Sequence, residues 1–90
     1  YIEVALSYEP NNHYILDSMG WIHFKLGNLD IASKYIKKAY MINKDPEIAA
    51  HLGEILWAQG KKEEARKVWE NSLNRHPSNT VLLETTNRFR

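Results

Sequence analysis

Residues 45–60 read Asp45-Pro46-Glu47-Ile48-Ala49-Ala50-His51-Leu52-Gly53-Glu54-Ile55-Leu56-Trp57-Ala58-Gln59-Gly60. The opening supplies an N-cap, a proline at the first helical position and an acid near the positive end of the helix dipole. Ile48, Ala49, Leu52, Ile55 and Leu56 then recur at helical spacing, and Gly60 is placed to end the helix. The same skeleton stands 33 residues earlier: Ile15 lies on Ile48, Gly20 on Gly53, Ile22 on Ile55, Gly27 on Gly60 and Ala32 on Ala65. A step of 34 lays Tyr1 on Tyr35, Ile2 on Ile36 and Ala5 on Ala39, and Pro10 and Pro77 stand 67 apart. Periods of this length mark stacked supersecondary units, each unable to bury its apolar face alone.

Each unit reads as two helices joined by a tight turn. Ile15, Leu16, Met19, Ile22 and Leu26 form one face of the first helix, which Gly27 terminates. Asn28 is then expected to cap a second helix with Asp30 in its first turn and a stripe of Leu29, Ala32, Ile36, Ala39 and Tyr40. In the second unit the partner helix carries Glu63, Glu64, Ala65, Val68, Trp69 and Leu73 and stops before Pro77. Gly20 opposite Ala32, and Gly53 opposite Ala65, are expected to let paired helices approach closely. Asp30 with Lys34, and Glu63 with Lys67, are spaced for supportive i,i+4 pairs.

The ends extend this pattern. Residues 1–9 resemble the last turns of a second helix, so the chain is expected to be a piece of a longer array. After Pro77, Ser78 or Asn79 caps a final helix reaching about Arg90, with Leu83 at the position of Leu16 and Ala49 and Asn87 in place of the packing glycine. Thr85, Thr86, Asn87, Arg88 and Arg90 make that helix polar, as expected of a terminal cap. The chain accordingly divides into 1–12, the end of a preceding unit; 13–45 and 46–79, two full units; and 80–90, a C-terminal capping helix.

Composition narrows the function classes. Lys and Arg number 12 against 11 Asp and Glu, so the concentrated positive stripe of a nucleic-acid grip is not expected. The chain has no cysteine, which removes disulfides and thiolate metal sites. No apolar run approaches the roughly 20 residues that span a bilayer, and Tyr1 is not an initiator, leaving room upstream for an export signal or lipid anchor. His51 and Glu54 share a helix face, but His13, His23 and His76 are spread elsewhere, so no metal or other cofactor is expected. No phosphate-cradling loop and no nucleophile–histidine–acid set is evident, so no enzymatic activity is expected. Lys34, Lys37 and Lys38 read as a solvated outer face.

The units resemble the tetratricopeptide repeat, whose pattern runs W-x2-L-G-x2-Y, A-x3-F and P. Met19-Gly20, His23, Ala32, Ile36 and Ala39 carry the resemblance in the first unit, and Leu52-Gly53, Leu56, Ala65, Trp69 and Pro77 in the second. The departures are Leu16 and Ala49 for the tryptophan, His23 and Leu56 for the tyrosine, and Lys44 for the first proline. The resemblance implies an all-α, right-handed superhelical array of antiparallel helix-turn-helix units. It also places Trp69 at a buried aromatic position and His23 at a partly buried one. Residues 45–60 with the following Glu-Glu-Ala-Arg, and Leu16-Asp-Ser-Met-Gly-Trp21, are similar to repeats of bacterial members, many of them envelope lipoproteins. The compartment stays open between the bacterial cytoplasm and the periplasmic side of the envelope, and that likeness slightly favours the latter.

In such arrays the first helix of each unit lines a concave wall that holds a protein or peptide. The matching face carries Tyr14, Asp17, Trp21, Phe24 and Lys25, and in the second unit Glu47, Ala50, Glu54, Trp57 and Ala58. Trp21, Phe24 and Trp57 are expected to anchor a partner while Asp17, Lys25 and Glu54 orient it. For Phe24 and Trp57, packing against the adjacent unit is the competing role. Some members clamp a C-terminal carboxylate with lysine and asparagine at the places held here by Asp17 and Trp21, so a clamp of that kind is not expected. The alternatives to a scaffold are self-association through the N-terminal edge and an accessory role in an envelope enzyme complex.

Overall fold

The computed structural model describes residues 12–89, all but short connections of it helical. Its elements are α1 (His13–Lys25), α2 (Leu29–Ile42), α3 (Pro46–Ala58), α4 (Lys62–Arg75) and α5 (Thr80–Arg88). The matches of Tyr1, Ile2, Ala5 and Pro10 to later positions, the helix end expected over 1–9, and Arg90 lie outside the described residues. α1 packs on α2 and α3 on α4, while α2 joins the first pair to the second and α5 lies mainly on α3. The result is a set of adjacent helix pairs with one further C-terminal helix. Among the described residues no helix is long and apolar enough to cross a membrane.

The caps explain the boundaries. The Asn12 side chain accepts the Tyr14 and Ile15 N–H groups at 3.0 and 3.2 Å, and Asp45 accepts from Glu47 N–H at 2.8 Å with Pro46 next to it. Gly27 and Gly60 take φ of 84° and 83°, a region costly for any residue with a Cβ. Their neighbours close Schellman turns: Asn28 N–H reaches the His23 carbonyl at 2.8 Å, and Lys61 N–H the Leu56 carbonyl at 2.9 Å. The expected Asn28 side-chain cap does not form. Its carboxamide turns toward His23 Nδ1 at 3.4 Å, leaving only the Asn28 backbone carbonyl as a helix acceptor.

The core runs through the middle of the stack. Among the described residues Leu16, Ile36, Ile55, Leu56 and Leu82 are its largest fully buried side chains, with Ala32, Ala39, Ala49 and Ala65 also fully buried. Trp69 is buried as expected, its Nε1–H directed at the Ala50 carbonyl at 3.4 Å. The nearest atoms to a Cβ on Gly53 are those of the Trp69 indole, a large ring packed between α3 and α4. Gly20 does meet α2 at Ala32, together with the Ile36 backbone.

Three further expectations are corrected. Ile22 and Leu26 are exposed, since among the described residues α1 lies at the edge of the stack. In α5 the buried leucine is Leu82 and not Leu83, which is 41% exposed. Val81, Leu82, Thr85 and Phe89 form the inward stripe of that helix, and Phe89 is drawn in by rings at 5.5 Å (Trp57) and 5.7 Å (Trp69), turning Leu83 outward. The charge pairs also differ: Asp30 accepts from Gln59 Nε2 at 3.1 Å, and Glu63 pairs with Arg66.

Candidate functional site

The candidate site begins with Trp21, near the centre of α1. Its indole stacks on the His51 ring of α3, centroids 4.2 Å apart, and on Phe24 at 4.9 Å. Lys25 Nζ lies 5.1 Å from the indole centroid, within cation–π range. His51 is held in turn by Asp17, with Nδ1 and Oδ1 2.8 Å apart. Nδ1–H donates in this pair, since a carboxylate is only an acceptor. Asp17 and His51 are 34 residues apart, so this contact ties the first helix of one pair to the first helix of the next.

Beside this cluster lies a groove of about 490 Å³ lined by Trp21, His51, Glu54, Val81, Glu84, Thr85, Asn87 and Arg88. Three helices contribute: α1 gives the indole, α3 the histidine and Glu54, and α5 the remainder. Arg88 bridges to Glu54 at 3.3 Å, fixing one end of the wall. The groove offers an aromatic surface next to charges of both signs, an arrangement suited to an amphipathic side chain. Among the described residues no three His, Cys, Asp or Glu side chains gather as a metal site would require.

The structure brings together only some of the residues singled out in the sequence. Trp21 and Glu54 line the groove, and Asp17 supports it through His51. Lys25 and Phe24 sit against Trp21, with Phe24 also packed on the core. Tyr14 and Glu47 are exposed and do not line the groove. Trp57 is absent from it too, since its ring stacks on Trp69 at 5.9 Å and meets Phe89 at a tilt, with Lys62 and Arg66 over it. Ala50, one repeat on from Asp17, is buried in the core.

Sequence reasoning missed His51 as a groove residue and missed all five contributions of α5. The separation of 34, one repeat plus one residue, was a usable signal for the contact between Asp17 and His51. The residues of α5 were hidden by reading that helix as a solvent-facing cap.

The profile of the tetratricopeptide repeat matches residues 13–46, which contain α1 and α2 in full. A TPR repeat-containing protein of Pseudomonas aeruginosa is 49% identical over 45 residues, covering 50% of this chain and 8% of that protein. A TPR repeat-containing protein of Methanocaldococcus jannaschii is 39% identical over 71 residues, covering 79% of this chain and 12% of that protein. The chain belongs to the tetratricopeptide repeat family. It spans about a tenth of the length of these relatives. Tetratricopeptide repeats generally serve as protein-binding scaffolds and are typically non-catalytic.

Proposed function

We propose that the chain holds a peptide or a protein loop in the groove between α1, α3 and α5. The observation that carries this reading is the half-buried Trp21, pinned by His51 and Phe24 yet still lining a groove of about 490 Å³. A ring fixed in place loses little conformational freedom when a partner covers it, so the apolar area it buries contributes almost fully to binding. The groove is large enough for a few side chains and falls in the size range of ligand sites. The exposed Arg88, bridged to Glu54 in the lining, sets register rather than affinity, because solvent-exposed charges mainly govern orientation and association rate.

The test is selection of peptides from a random display library on the immobilised chain, followed by titration of the winners. Trp21→Ala should weaken them by about thirtyfold, a hot-spot effect of roughly 2 kcal/mol, with helical circular dichroism unchanged. Undiminished binding to a folded Trp21→Ala chain would remove the groove from consideration.

A further inference from the structure

A second pocket lies between α2 and α4, the two helices that contribute nothing to the groove. Its volume is about 420 Å³, and Tyr40, Lys44, Val68, Asn71, Asn74 and Arg75 line it. No acid is among these residues. Among the described residues neither Lys44 nor Arg75 pairs with a carboxylate, and the Asn71 and Asn74 carboxamides have no hydrogen-bond partner. Lys44 Nζ is held 5.4 Å from the centre of the Tyr40 ring, an interaction that orients the ammonium without neutralising it.

These side chains bring an ammonium, a guanidinium fork and two carboxamides to one concavity, giving it two cations and four uncharged N–H donors. Such a set matches a phosphoryl or carboxylate group, which accepts charge-assisted hydrogen bonds in the geometry the guanidinium presents. One part of the cluster has a simpler explanation. Arg75 stands in the last turn of α4, where a cation complements the helix dipole. That accounts for Arg75 alone. Lys44 lies beyond the end of α2, and neutral carboxamides do not answer a dipole.

The arrangement is also not a general product of the repeat. One period on, the positions of Tyr40 and Lys44 are held by Leu73 and Pro77; one period back, those of Asn74 and Arg75 are held by Met41 and Ile42. We propose that the pocket between α2 and α4 binds an oxyanion, a phosphoryl or a carboxylate group presented by a ligand.

The test is a titration of the isotopically labelled chain at low ionic strength, followed by nuclear magnetic resonance. Sodium phosphate is the probe in one arm and sodium acetate in another, each against sodium chloride of equal ionic strength. The expected result is saturable movement of the Asn71 and Asn74 carboxamide signals and the Arg75 Nε–H signal that chloride does not reproduce. Saturation by phosphate alone assigns a phosphoryl group, and saturation by both anions assigns the broader carboxylate-accepting site. Lys44→Gln and Arg75→Gln should each weaken binding about tenfold, as the loss of a charged hydrogen-bond partner predicts. Both residues are exposed, so the fold should survive, and Lys44 lies outside the helices in any case. Movement no different from chloride, or saturation unchanged in the variant carrying both substitutions, overturns the proposal.

Discussion

The two helix pairs share a sequence skeleton but not an environment. Ile22 and Ile55 are the same residue one period apart, yet Ile22 is 43% exposed and Ile55 fully buried. The reason lies in their neighbours rather than in their local sequence. α3 packs against α2, α4 and α5, whereas among the described residues α1 meets chiefly α2. A repeat therefore specifies a helix pair, and position in the stack decides which apolar residues carry stability.

The largest expected effect tests this directly. Ile55→Ala should destabilise the chain by about 2–5 kcal/mol, since removing buried methyl groups also leaves a cavity. Ile22→Ala should cost about 1 kcal/mol or less, as a half-exposed side chain loses little burial and leaves no closed void. Urea denaturation of both variants checks it, and equal losses would mean that the two pairs are equivalent in solution.

The packing glycines come next. A Cβ on Gly53 would lie 2.7 Å from Trp69 Cδ1 and nearer still to Nε1 and Cε2. Trp69 has little room to retreat, being buried and in a three-ring cluster with Trp57 and Phe89. Overpacking of this kind costs about 1–3 kcal/mol, which exceeds the roughly 1 kcal/mol an alanine gains in helix propensity. On Gly20 the nearest atoms are the Ala32 carbonyl and the Ile36 amide, both at 3.2 Å, so a shift of a few tenths of an ångström suffices. Gly53→Ala should therefore lower the melting temperature clearly while Gly20→Ala changes it little. A reversed order would show that the α3–α4 pair yields more easily than the α1–α2 pair.

These contrasts show what was legible in the sequence. Helix pairs, turn glycines and the Asp45 cap followed from local chemistry, because a positive φ or an N-cap hydrogen bond is decided within a few residues. The buried Trp69 followed from the repeat pattern. What a residue meets across helices was less legible. Gly53 was matched to Ala65 by analogy with Gly20 and Ala32, but in the second pair the nearest atoms belong to the Trp69 indole, which stands one period on from Ile36. The site was half legible for the same reason. Trp21, Glu54 and Asp17 emerged from the matching faces of the two first helices, whereas the wall built by α5 depends on a rotation that the repeat match to Leu16 and Ala49 placed one residue off. Leu83 took the apolar position on paper, and Phe89, clustered with Trp57 and Trp69, gave it to Leu82 instead.

The smallest expected effect concerns how α5 is held. Two kinds of contact fix it: the apolar cluster of Leu82 and Phe89, and the Arg88–Glu54 ion pair. The Arg88 side chain is 60% exposed and that of Glu54 12%. Solvent screens such a pair, and exposed ion pairs are typically worth about 0–1 kcal/mol. Arg88→Ala should therefore leave the stability of the chain within about 1 kcal/mol of its starting value, and the difference should shrink further as salt is added. A double-mutant cycle with Glu54→Gln isolates the pair itself. A coupling well above 1 kcal/mol, persisting at high salt, would mean that the groove wall is locked by charge and that α5 docks for a reason other than its apolar stripe.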